Sequence, residues 1–314
     1  MSPVPPPAPV DALAAQRTAG LQIPDLDAGF RLKFATMIAS CLPLTYEEFT
    51  RRIDVAAVRR RGIVTVVTYA EFTRSVRPLA VGAPLVTRSE TLHSELSGRG
   101  AGAAGARVGF ESRLEFLSPA GTGDPRRYRE LASEEPQPCG GGRLIFTMTR
   151  PHARPGQRLV AEAPPETSHL RLHTLAEPHP TVDSLTAVPA GLTARPGTME
   201  HAGVFGPHDT DINQYVFTGV YVRLLEDHAA MLVCGDGADA GQHVVERVAL
   251  VFHRPFAAGA RYTVRGALHR AEDRTLALAA VHPVTEAGTG ERPAVSGRVE
   301  GWLASGGDDG RAPG

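Results

Sequence analysis

The chain has 314 residues, 42% of them hydrophobic and 21% charged, with a formal net charge of −1. That length accommodates one large or two small domains with a substantial core, and the apolar fraction is too high for a disordered chain. The near-zero charge removes the basic footprint that nucleic-acid binding uses, so no nucleic-acid partner is expected. The longest apolar runs fall short of the ~20 residues that cross a bilayer, so no membrane partner is expected either. Met1-Ser2-Pro3-Val4-Pro5-Pro6-Pro7 offers neither a basic nor an apolar leader region, and the expected compartment is the cytoplasm. Cys41, Cys139 and Cys234 are odd in number and scattered, which argues against a disulfide framework and a cysteine zinc site; no metal is expected.

Taken in chain order, residues 1–25 are rich in Pro and Ala and are predicted to form a flexible arm. A first module follows over 26–150. Phe30 to Met37 reads as a strand or helix, and Thr45-Tyr46-Glu47-Glu48 has the form of a capping box that opens a helix to about Arg60. Strands are predicted at Ile63 to Phe72, Leu85 to Leu96, Val108 to Leu117 and Arg143 to Thr149, with a long loop from Pro119 to Cys139. Residues 151–190 carry six prolines between Pro151 and Pro180 and read as a linker.

The second module spans 191–306, followed by a flexible tail at 307–314. Thr198 to Phe205 is its first strand. Gln214 to Leu232 is a helix candidate in which Phe217, Val220, Tyr221, Leu224, Leu225, His228 and Met231 recur at helical spacing. Strands at Val244 to Phe252, Arg261 to His269, Thr275 to His282 and Ala294 to Ala304 complete it; Val295, Gly297, Val299 and Gly301 share a face in the last.

The two modules echo one another. Arg77-Pro78-Leu79-Ala80-Val81-Gly82-Ala83 returns 177 positions later as Arg254-Pro255-Phe256-Ala257-Ala258-Gly259-Ala260. In both places one predicted strand precedes the turn and another follows it. Pro ends ladder pairing and Gly supplies a backbone shape that other residues resist.

Chemistry is expected at His208-Asp209-Thr210-Asp211-Ile212-Asn213-Gln214-Tyr215-Val216-Phe217, the connection from the second module's first strand to its helix. A helix N-terminus offers unpaired N–H groups and partial positive charge suited to a developing oxyanion, with the Tyr215 and Val216 amides as expected donors. Asp211 can act as general base toward water or attack a carbonyl directly, and Asn213 can position the water or hold Asp211. Tyr215 is suited to donating a hydrogen bond. Asp209, His208, Val216 and Tyr221 support these groups, while Tyr69 and Phe217 are candidate substrate contacts. The competing reading is that Asp209 and Asp211 merely cap the helix. In the first module the expected helix start, Leu42-Pro43-Leu44-Thr45-Tyr46, has no acid before it, which predicts a degenerate site there and one centre per chain.

The same segment resembles the signature of hotdog-fold thioesterases. In the group similar to 4-hydroxybenzoyl-CoA thioesterase, D-x-D precedes the helix and an aromatic-rich run ends in Tyr; Asp209, Asp211 and Tyr221 match. The acyl-carrier-protein thioesterases of plants and bacteria, which are double hotdogs, have D-x-D-x-N-Q-H-V. Asp209, Asp211, Asn213, Gln214 and Val216 match, while Tyr215 replaces the His and Phe217-Thr218 replaces an Asn pair. The resemblance implies an α+β double hotdog, two antiparallel sheets each wrapped around a central helix and joined side by side. It implies hydrolysis of an acyl-CoA or acyl-carrier-protein thioester, with no cofactor beyond the coenzyme A or phosphopantetheine of the substrate; a homodimer stays open. The missing His leaves a second reading, other thioester chemistry such as acyl transfer, decarboxylation or dehydration in polyketide or fatty-acid-type biosynthesis. A non-catalytic acyl-binding protein is the third.

Overall fold

The computed structural model describes residues 10–96, 107–175, 177, 179–211, 215–286, 288–290 and 292–304; the expected tail at 307–314 and residues 1–9 of the expected arm fall outside them. The chain divides into two compact units, Met1–Pro180 and Thr181–Gly314. Both are mostly antiparallel sheet with few helices. Among the described residues, no helix is long and apolar enough to cross a membrane.

The first unit contains β1 (Leu13–Gly20), α1 (Phe34–Arg52), α2 (Val55–Arg60), β2 (Val64–Arg74), β3 (Pro84–Glu95), β4 (Val108–Ser118), β5 (Gln137–Thr149) and β6 (Leu172–Thr174). Its strands run in the order β1-β3-β4-β5-β2, and β6 adds to β3 in parallel. The second unit contains α3 (Val182–Thr186), β7 (Thr193–Ala194), β8 (Met199–Val204), α4 (Thr218–Gly235), β9 (His243–Phe252), β10 (Arg261–Ala271), β11 (Arg274–Thr285), β12 (Gly288–Thr289) and β13 (Val295–Leu303). Its order is β9-β13-β11-β10, with β7 and β8 both on β10 and β12 on β11.

Helix α4 packs on the sheet face that carries Gly266 and Gly297. A Cβ at Gly297 would lie 2.1 Å from Leu225 Cδ1, and one at Gly266 would lie 2.6 Å from His228 Nε2 and 2.9 Å from the Leu278 carbonyl oxygen. Glycine at these strand positions lets the helix approach so closely. Tyr221 is 1% exposed, packed among Phe205, Phe252 and Phe256, and its hydroxyl accepts the Phe256 N–H at 3.3 Å. It ties the helix to the turn before β10 rather than facing a substrate.

Several expectations require correction. The presumed arm holds β1, paired with β3 from Leu13↔Thr91 to Gly20↔Pro84. The presumed linker carries β6 and α3, and the unit boundary falls between Pro180 and Thr181. Helix α1 does not start at Thr45. It starts at Phe34 and runs through Pro43, because Phe34, Met37, Ile38, Cys41, Leu44 and Phe49 form one buried stripe at helical spacing. Thr45 and Glu48 are buried mid-helix: Thr45 shares a hydrogen bond with Ser89, and Glu48 accepts from Arg51 and Arg52. The true start of α1 follows Asp25-Leu26-Asp27, so the first unit does carry acids ahead of its helix.

The repeated turns are structurally equivalent. Gly82 has φ +89° and Gly259 has φ +79°, a region that disfavours side chains with a Cβ. Gly82 N–H donates to the Leu21 carbonyl and Gly259 N–H to the Phe205 carbonyl, both at 2.8 Å.

Each unit buries one histidine against its sheet. His228 is fully buried with its Nδ1 3.1 Å from His201 Nδ1, and His93 is buried against Phe110. Burial, reinforced by His201 in one case and by His173 and His169 in the other, pushes each imidazole down to about 4 from its ordinary 6.5. Below pH 6.5 the unfolded chain therefore binds more protons than the folded one, and stability declines as pH falls towards 4. Thermal melts should show Tm dropping across that window, with the slope reduced in His228→Leu; a flat Tm between pH 7 and 4.5 would contradict the assignment. Tyr221→Phe leaves the buried Phe256 N–H without its acceptor and should cost about 1–2 kcal/mol in urea unfolding.

Candidate functional site

The second unit's acidic loop begins with a 3-10 turn, Pro207–Asp209, and ends at Phe217, the N-cap of α4. Asp209 closes the turn: its Oδ2 accepts the Gly206 N–H at 2.7 Å, and its carbonyl accepts the Phe217 N–H at 2.8 Å. Arg223 Nη2, one turn into the helix, lies 3.6 Å from Asp209 Oδ1. Asp211 and Tyr215 pair across the loop. Asp211 N–H donates to the Tyr215 carbonyl at 2.9 Å, and Asp211 Oδ1 accepts the Tyr215 N–H at 3.3 Å. The loop rests on the repeated turn, where Val216 N–H donates to the Phe256 carbonyl at 2.8 Å and Tyr215 bridges Ala257.

The structure thus brings Asp209, Asp211, Tyr215, Val216 and Phe217 into one loop at the start of α4. Asp211 is exposed, Tyr215 and Phe217 are half-buried, and Val216 is buried. Asn213 and Gln214 lie outside the described residues. Helix α4 starts at Thr218, four residues later than the sequence suggests, because the backbone of 209–217 is occupied in closing the loop.

That closure overturns the expected oxyanion donors. The Tyr215 amide serves Asp211 and the Val216 amide serves Phe256, so neither points to a ligand. The first-turn amides that precede any intrahelical acceptor are those of Thr218 and Gly219, whereas Val220 N–H already donates to the Phe217 carbonyl. His208 is exposed on the 3-10 turn. Tyr221, expected as support, belongs to the aromatic core. Tyr69, expected to contact substrate, is 2% exposed on β2 and donates its hydroxyl to Glu71.

Two hollows are lined within single units. One, of about 240 Å³, is bounded in the second unit by Pro189, Leu192, Glu246, Arg298, Glu300 and Trp302. The other, of about 520 Å³, opens in the first unit beside Ala15, Gln16, Arg88, Ser89, Arg113 and Glu115. Neither is lined by residues of the acidic loop. Among the described residues, no group of three or more His, Cys, Asp or Glu side chains is placed to hold a metal.

No protein-family model matches the sequence, and no curated protein matches it either. Solved structures do. A protein from Lactobacillus plantarum assigned as an oleoyl thioesterase superposes with TM-score 0.62 at 12% identity, covering 94% of this chain and 96% of its own. The 12:0-ACP thioesterase from Umbellularia californica gives TM-score 0.58 at 12% identity, covering 92% and 94%. An acyl-ACP thioesterase from Bacteroides thetaiotaomicron gives 0.56 at 10%, covering 92% and 97%. At such identities the likeness is one of fold, and it extends over nearly the whole chain: this protein has the hotdog fold of these thioesterases.

Proposed function

We propose that the protein hydrolyses acyl thioesters carried on coenzyme A or an acyl carrier protein, with each unit a hotdog module and the reaction centre at the acidic loop of the second. The observation that carries this reading is Asp211: an exposed carboxylate, pinned by the Tyr215 amide, where the chain enters α4. The whole-length fold match to three thioesterases supports it.

In this mechanism Asp211 takes a proton from water as the water oxygen attacks the thioester carbonyl carbon. The tetrahedral oxyanion is stabilised by the amides and partial positive charge of the α4 N-terminus, with Thr218 and Gly219 as donors. Collapse breaks the C–S bond, the thiolate takes from Asp211 the proton it drew from water, and a free acid and a thiol leave with the carboxylate restored. Asn213 orients the water, and Tyr215 donates a hydrogen bond to the substrate. The fixed carboxylate does not need to reorganise during the step, which is where a preorganised site gains rate.

Incubation with a panel of acyl-CoA and acyl-carrier-protein thioesters, read by mass analysis, should yield free acid and free thiol. Asp211→Asn should lower kcat by roughly 10²–10⁴-fold. Equal turnover by variant and wild type would remove Asp211 from the mechanism. A product that has lost carbon dioxide, or an acyl group moved to another acceptor, would instead establish a different thioester reaction on the same scaffold.

A further inference from the structure

The first unit contains a second acidic loop that repeats several of the bonds described for that of the second unit. Asp25 and Asp209 are 184 positions apart, as are the helix starts Phe34 and Thr218 and the 3-10 turns Ile23–Asp25 and Pro207–Asp209. Asp25 Oδ2 accepts the Gln22 N–H at 2.7 Å, as Asp209 Oδ2 accepts that of Gly206. Lys33 N–H donates to the Asp25 carbonyl as Phe217 N–H does to that of Asp209. Asp27 N–H donates to the Arg31 carbonyl at 2.9 Å, and Asp27 Oδ1 accepts the Arg31 N–H at 3.0 Å, the geometry of Asp211 with Tyr215. Even the isolated bridge is repeated, Leu26↔Leu32 against Thr210↔Val216.

The side chains differ where chemistry is assigned. Gly29 stands in place of Asn213 and Arg31 in place of Tyr215. Arg31 Nε reaches Asp27 Oδ2 at 2.9 Å, and Arg74 Nη1 from β2 reaches the same oxygen at 3.1 Å. The Gly29 N–H adds a hydrogen bond to Asp27 Oδ1 at 2.9 Å. A Cβ at position 29 would lie 2.9 Å from the Arg31 guanidinium carbon, so glycine makes room for the cation. Arg74 is 6% exposed, donates also to the Leu32 carbonyl, and stacks over the Phe34 ring at 4.9 Å.

We propose that this loop is a second copy of the acidic centre in which Asp27 has become the hub of an Arg31–Asp27–Arg74 cluster that fixes the start of α1. Resting on the function proposed above, this assigns turnover to the second unit alone and makes Gly29, Arg31 and Arg74 the substitutions that silence the first. A carboxylate engaged by two guanidiniums and two backbone N–H groups would have to give up those contacts to act on water. Removing it deprives two largely buried cations of the carboxylate they share.

The test is Asp27→Asn in the full chain, read by both melting temperature and thioester turnover. Tm should fall by about 5 °C or more, as expected for loss of a partly buried ion cluster in a unit of this size. Turnover measured well below that Tm should stay within about threefold of wild type, below the smallest loss expected for a general base. Unchanged Tm would overturn the proposal, and so would lost turnover at unchanged Tm. Should Asp27→Asn not fold, Arg31→Lys retains the charge but not the side-chain contacts at both oxygens; a smaller fall in Tm with turnover retained supports the cluster, and no fall overturns it. If wild type released no thiol from any substrate, the proposed function would fail while the Tm measurements still decided the role of Asp27.

Discussion

Within each unit, a positive-φ glycine turn from the sheet clasps the loop that leads into the long helix. In the second unit the Gly259 amide binds the Phe205 carbonyl and the Phe256 carbonyl binds the Val216 amide, on either side of Asp211. In the first, Gly82 binds Leu21 and the Leu79 amide binds the Phe30 carbonyl, on either side of Asp27. A loop fixed at both ends has little freedom, so its central carboxylate is held in one place. This accounts for the repetition of R-P-x-A-x-G-A: the motif is the mould in which each unit's acidic loop is cast.

The same constraint separates structure from chemistry among the acids. Asp209 and Asp25 spend their carboxylates on the 3-10 turn that precedes them, a local capping role. Asp211 and Asp27 occupy the next equivalent position, and there the surroundings decide. Asp27 is ringed by cations that the sequence supplies at positions 31 and 74, whereas the position matching Arg31 in the second loop is a tyrosine. One backbone device thus supports two uses.

Much of the sheet was legible in the sequence, since alternation and turn residues bound each strand closely: Val108 to Leu117 against Val108–Ser118, and Ala294 to Ala304 against Val295–Leu303. The first helix was not. Thr45-x-x-Glu48 imitates a capping box, but burial of Phe34, Ile38 and Cys41 sets the helix, and a hydroxyl on its inner face bonds across to β3 instead. The matching acidic loop is masked in the sequence because the echo changes register, from 184 at the loops to 177 at the turns, with α2 lying in the longer stretch of the first unit. The signal was nonetheless present: Pro24-Asp25-Leu26-Asp27 set against Pro207-His208-Asp209-Thr210-Asp211. Pairing of the Val216 amide could not be read from residue types, because its acceptor, the Phe256 carbonyl, lies on a turn about forty residues away.

The central claim is that the exposed carboxylate of the second loop acts on the thioester and the cation-bound one of the first does not. Carbodiimide coupling to an amine, mapped by peptide mass spectrometry with and without an acyl thioester, tests this most directly. The account predicts modification of Asp211 in step with loss of thioester turnover, protection of Asp211 by substrate, and no modification of Asp27. Turnover lost while Asp211 remains unmodified, or labelling of Asp27 at the same rate as Asp211, would contradict it.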